Sequence, residues 1–241
     1  MATLGIVGGI APESTIEYYR SIIASYRRQK NDGSYPSILI NSIDLTRMIG
    51  LIGAGEIRAV TEMLIEAVRQ LARGGAEMAL FASNTPHLVY EEVAAASPIP
   101  MISIVQEACR AANSLDMRRL GLFGTRFTMQ APFYPNLFRA SGMTVIAPSA
   151  EEQAFIHEKY MGELVPGIFR DDTRARLIEI IGAMKERDGI DGVILGGTEL
   201  PLTLKEPSYD GVTVLDTTKI HVESAVGWMV NLRQRASRPS P

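Results

Sequence analysis

Short apolar runs alternate with amphipathic stretches along most of the chain. Residues 3–8 and 37–42 read as strands, and the segment between them, Pro12 to Lys30, reads as a helix. It carries proline near its start and apolar side chains at Ile16, Tyr19, Ile22 and Ile23. Gly55 to Arg73 predicts a long amphipathic helix, with Val60, Met63, Leu64, Ala67 and Leu71 at helical spacing. Residues 77–82 predict a third strand and Met101 to Ile104 a short fourth. A second half opens at Leu120 and repeats the order, with a helix from Thr173 to Lys185 leading into a strand at 191–196. Val212 to Leu215 predicts a last strand, His221 to Arg233 a closing helix, and Ala236 to Pro241 a loose tail. Alternation of this kind, with both sheet faces covered, implies parallel sheets whose ligands bind at the carboxyl ends of the strands.

The halves match in order and spacing. Leu4-Gly5-Ile6-Val7-Gly8-Gly9 answers Leu120-Gly121-Leu122-Phe123-Gly124-Thr125, and Ser37–Ser42 loosely answers Met143–Pro148. Met78-Ala79-Leu80-Phe81-Ala82-Ser83-Asn84-Thr85 answers Gly192-Val193-Ile194-Leu195-Gly196-Gly197-Thr198-Glu199. Each of these last two is a buried strand that ends in small hydroxyl and amide residues, where a small anion can sit. A repeat of this length is too long for a solenoid unit of roughly 20–50 residues, so it reads as a duplicated α/β lobe. The expected division places residues 1–98 with 206–241 in one lobe and 99–205 in the other.

Composition narrows the function. The 241 residues are 46% hydrophobic and 21% charged, with a net charge of −3, which gives no support to nucleic-acid binding. The one basic tract, Arg27-Arg28-Gln29-Lys30, reads as a solvated helix end. No apolar run approaches the roughly 18 residues of a membrane span, and no secretory signal is evident, so a cytoplasmic location is expected. The single cysteine, Cys109, fits a reducing compartment and, set among alanines on a helix, reads as a small core residue.

Individual residues leave alternatives open. Gly5-Ile6-Val7-Gly8-Gly9 has neither dinucleotide nor Walker spacing, so no NAD or ATP is expected. It reads as a tight turn needing positive φ, as a carboxylate site at a helix N-terminus, or as both. Three histidines are too few and too scattered for a metal site. His87 faces the crevice or plays a capping or supporting role, His157 belongs to a segment that crosses the cleft mouth, and His221 caps a helix or takes part in catalysis. Glu199, two residues past a strand end, is a base or a helix cap.

With these motifs in hand, the chain resembles the PLP-independent aspartate/glutamate racemase superfamily over essentially its whole length. The family's opening turn, G-G-x-x-P-x-x-T, matches Gly8-Gly9-Ile10-Ala11-Pro12-Glu13-Ser14-Thr15. Its first catalytic turn, C-N-T-x-H, matches Ser83-Asn84-Thr85-Pro86-His87, and its second, G-C-T-E, matches Gly196-Gly197-Thr198-Glu199. Its glycine-threonine turn matches Gly124-Thr125-Arg126-Phe127-Thr128. The resemblance implies two pseudo-symmetric α/β lobes with a small carboxylate-bearing substrate in the interlobe cleft, no cofactor, and a homodimer.

The family removes and returns the proton α to a carboxylate with two thiols. Here Ser83 and Gly197 stand at those positions, which argues against two-thiol racemisation. The remaining readings are isomerase- or lyase-like chemistry through Ser83, Glu199 or His87, a non-catalytic acid-binding protein, and a Ser83-based hydrolase. Gly9, Asn84, Thr85, Thr125, Thr128, Gly197 and Thr198 are the expected substrate donors. Arg47 and Lys159 match the family's clamp for a side-chain carboxylate, or form surface ion pairs.

Overall fold

The computed structural model describes residues 2–236. In chain order it runs β1 (Thr3–Gly8), α1 (Pro12–Lys30), β2 (Ser37–Ser42), α2 (Leu45–Gly53), α3 (Ile57–Arg73), β3 (Met78–Phe81), α4 (Tyr90–Ala96), β4 (Met101–Ile102) and α5 (Ile104–Ser114). It continues through β5 (Arg119–Gly124), α6 (Arg126–Gln130), α7 (Phe133–Ala140), β6 (Thr144–Ile146), α8 (Ala150–Lys159) and α9 (Asp171–Asp188). It closes with β7 (Gly192–Gly196), α10 (Leu200–Thr203), β8 (Ser208–Tyr209), β9 (Val212–Asp216) and α11 (Thr217–Ala236). A 3₁₀ turn covers Thr85–Val89 and a π turn covers Tyr160–Leu164. From residue 237 on, the expected tail lies outside the described residues.

The chain forms two compact units. The first runs to Ser103 and resumes at His221; the second spans Ile104–Ile220. Its boundaries therefore differ from the expected 98/99 and 205/206. Strand pairing explains the shift: β4 bonds to β3 in the first sheet, while β9 bonds to β7 in the second. The sheet orders, β2-β1-β3-β4 and β6-β5-β7-β9-β8, carry the duplication, with β1 answering β5, β2 answering β6 and β3 answering β7. The second sheet is not wholly parallel, because the short β8 pairs antiparallel with β9 across a tight turn at Asp210-Gly211.

The central strands β1, β3, β5 and β7 are buried on both faces, which is why they read as continuous apolar runs. On β1, Leu4 and Ile6 pack with Tyr18, Ile22, Val222 and Val226, while Val7 faces Met48, Leu64 and Phe81. On β5, Leu120 and Leu122 pack with Tyr134 and Phe138, while Phe123 faces Tyr160, Leu164 and Leu195. Each such side chain contributes about 1.5–3 kcal/mol of burial. The inner face of α1 is rotated from the expected stripe. Tyr18, Ile22 and Tyr26 are buried, whereas Ile16 and Tyr19 are 42% and 45% exposed. Tyr18 turns inward because its hydroxyl meets His221 Nδ1 at 2.9 Å in the core.

Candidate functional site

In the first unit, the parallel pairing of Val7 with Phe81 sets the ends of β1 and β3 side by side. The chain leaves β1 through Gly9, whose φ is +83°, and a Cβ there would lie 2.2 Å from the Ile43 carbonyl oxygen. The Gly9 amide donates to Thr15 Oγ1 at 2.8 Å, so this N–H is engaged inside the turn. Helix α1 then starts at Pro12 with no side-chain cap from Ala11.

Beyond β3, Ser83, Asn84 and His87 are all buried, and Thr85 is partly so. His87 Nδ1 lies 3.2 Å from the Asn84 carbonyl and therefore donates to it. The ring stacks on Tyr90 at 4.9 Å and meets the Phe81 ring edge-on at 6.0 Å. Burial, with His221 as a second charge nearby, lowers its pKa to about 3, so the imidazole is neutral at pH 7. His221 lies inside α11 rather than at its cap. Its Nε2 donates to the Ile102 carbonyl at 3.1 Å while Tyr18 donates to Nδ1, and burial lowers its pKa to about 4.

Arg47 lies in the first turn of α2, where its amide donates to Asp44 Oδ1. Its exposed side chain lines an open groove of about 470 Å³ with Asn41, Asp44, Glu62, Glu66 and Gln70.

In the second unit, the pairing of Gly124 with Gly196 aligns the ends of β5 and β7. Thr125 caps α6, its Oγ1 accepting from the Thr128 amide at 3.3 Å, and the two hydroxyls lie 3.2 Å apart. Past β7, Gly197, Thr198 and Glu199 are buried. Glu199 occupies the cap position of α10 but makes no side-chain cap hydrogen bond. Its Oε2 instead accepts from the Tyr160 hydroxyl and, at 3.0 Å, from Thr198 Oγ1.

Tyr160 was not among the sequence candidates, yet it shapes this turn. A Cβ added to Gly197 would lie 2.4 Å from Tyr160 Cε2 and 2.9 Å from its hydroxyl oxygen. Burial, then the Glu199 charge, raises the phenol pKa well above its ordinary value. The spacing of Ile156, Tyr160 and Leu164, four residues apart, was the available signal that Tyr160 faces inward.

The neighbouring candidates have partners of their own. Lys159 Nζ donates to Glu163 Oε1 at 2.8 Å, and Glu163 also accepts from Thr173 Oγ1 at 2.6 Å. His157 Nδ1 accepts from the Arg126 amide at 3.2 Å. The segment expected to cross the cleft mouth is anchored in its own unit, with Ile156, Tyr160 and Leu164 in the core. Cys109 is likewise a core residue, its Sγ 3.4 Å from Ser141 Oγ. Among the described residues, no group of three or more His, Cys, Asp or Glu side chains could hold a metal ion, and no helix is long and apolar enough to cross a membrane.

Two α/β units whose central strands run parallel and end in small hydroxyl-bearing turns are an arrangement shared with known proteins. The chain belongs to the Asp/Glu/Hydantoin racemase family, whose model matches residues 7–225. A Yersinia pestis structure solved as a candidate Asp/Glu racemase is 30% identical, with a TM-score of 0.87 over 95% of this chain and 100% of that one. An aspartate racemase homologue from Pyrococcus horikoshii OT3 is 33% identical, with a TM-score of 0.83 over the same shares. The broad specificity amino-acid racemase RacX of Bacillus subtilis (strain 168) is 26% identical over 63% of this chain and 66% of its own, just under two thirds of its length.

Proposed function

We propose that this chain binds a small amino or dicarboxylic acid through hydroxyl- and amide-bearing strand-end turns and moves the proton α to a carboxylate without PLP and without a thiol pair. Ser83 and Gly197 then stand where the resemblance implies the family's two cysteines. The observation behind this reading is the second turn, where Gly197 has no side chain and the nearby polar groups are the Tyr160 hydroxyl and Glu199. The outcome is isomerase- or lyase-like. Asn84, Thr85, Thr125, Thr128 and Thr198 supply donors for the acid, and Arg47 is the available clamp for a second carboxylate. A homodimer in the cytoplasm, with no cofactor, completes the proposal.

The paired state of Lys159 weakens its part as a clamp. The turn of His87 toward the Asn84 carbonyl, with its lowered pKa, weakens the Ser83 hydrolase. The same lowered pKa favours a second reading, a binder of acids with no chemistry, because neither His87 nor Tyr160 is tuned near neutrality. Proton NMR in D₂O with a panel of amino and dicarboxylic acids decides between them. Deuterium appearing at Cα supports proton chemistry; thermal stabilisation by an acid without exchange supports binding alone.

A further inference from the structure

We infer that Tyr160 is the ligand-contacting, specificity-determining residue of the second turn, its hydroxyl held by Glu199 in the space that a side chain at position 197 would fill. This inference rests on the small-acid reading above and adds to it a group that meets the acid beside Gly197.

Three observations carry it. The first is the close approach: the phenol oxygen lies 2.9 Å from the ideal Cβ position of residue 197, and Cζ lies 2.8 Å from it. The ring edge and hydroxyl of Tyr160 therefore border the position from which a residue-197 side chain would start. The second is the hydrogen bonding. Tyr160 donates to Glu199 Oε2, which also accepts from Thr198, so the phenol is tied to the turn through two consecutive residues, Thr198 and Glu199. The third is local backbone. Tyr160 opens the π turn Tyr160–Leu164 at the end of α8, and π turns inside helices recur at functional sites.

The chemistry differs from that of a thiol. The phenol remains protonated, with its proton donated to Glu199 Oε2, so toward a ligand it offers an accepting oxygen rather than an anionic base. It also fills its space with a rigid ring, which sets the size of the ligand group accepted beside Gly197. A larger or smaller side chain at 160 then changes which acid is accepted, whereas a thiol at 197 cannot enter without displacing the ring.

The test uses the full chain with 3-fluorotyrosine placed at position 160 alone, titrated with L- and D-aspartate, L- and D-glutamate and succinate. Thermal melts on the same samples record binding independently. The expected result is that an acid which raises the melting temperature also moves the ¹⁹F resonance, and that Tyr160→Phe weakens that acid about tenfold, the size of one hydrogen bond. An acid that binds without moving the resonance, and with an affinity within about twofold in Tyr160→Phe, overturns the inference and leaves the small-acid reading standing. If no acid binds, the small-acid reading falls and this inference with it. Should Tyr160→Phe fail to fold, the fluorine shift in the otherwise unaltered chain still decides.

Discussion

The ring of Tyr160 occupies the volume into which any side chain at Gly197 would grow, with Cε2 2.4 Å from the ideal Cβ. The two residues are therefore one packing unit, although 37 positions separate them (160 to 197). Gly197→Ala is expected to destabilise the fold by about 1–3 kcal/mol, the usual cost of overpacking. In a Tyr160→Ala background the same change should cost less than about 1 kcal/mol, because the ring is gone. Urea denaturation of the four members of the cycle measures the coupling. Additive effects would show that the ring gives way freely.

The buried histidines make stability depend on pH. His87 and His221 have folded pKa values of about 3 and about 4, against an unfolded value of 6.5. Between these limits the unfolded chain binds protons that the folded chain does not, so stability is complete above pH 6.5 and falls as the pH drops. At pH 5 the loss is about 2 kcal/mol per histidine. His221→Gln should lower stability at pH 7.5 yet flatten the slope below 6.5 by about one proton. Urea midpoints from pH 5 to 7.5 provide the check.

The opening turn depends on one hydroxyl. Thr15 Oγ1 accepts the Gly9 amide and donates to the Ala11 carbonyl at 3.3 Å. Thr15→Val keeps the shape and strands a buried donor, at a cost of about 1–3 kcal/mol. Thr15→Ser should retain most of the stability, and thermal melts of the pair separate lost hydrogen bonding from lost packing.

The two candidate cations should behave differently. Lys159 is paired with Glu163, whereas Arg47 lines an open groove. Arg47→Gln is expected to weaken binding of a dicarboxylic acid about tenfold, as loss of a charge-assisted contact does, while Lys159→Gln changes it less than about twofold. Calorimetric titration of both variants reads this directly.

These contrasts show what the chain of residues discloses by itself. β1, α1 and β2 begin and end where the pattern places them, because Pro12 starts the helix and Asn31, in the left-handed region at φ 47°, stops it. The repeat was legible because small polar turns recur in the same order and spacing after buried strands. The lobe boundaries were not, since no local signal says that β9 pairs with β7. The short helix α2 was passed over, although Asp44 carries its capping signal. At the second turn, Gly197, Thr198 and Glu199 could be named from their strand end. The choice of Lys159 over Tyr160 one residue on was a question of which helix face points inward, and the apolar neighbours Ile156 and Leu164 held that answer.

Thiol-independent action on a small acid is tested most directly by Cα deuterium exchange in D₂O, before and after treatment with iodoacetamide. The sole cysteine, Cys109, is buried in the core of the second unit and belongs to neither turn. The expected result is that at least one amino or dicarboxylic acid gains deuterium at Cα at a rate that alkylation leaves unchanged. Exchange abolished by alkylation of the folded protein, or no exchange with any acid of the panel, would contradict it.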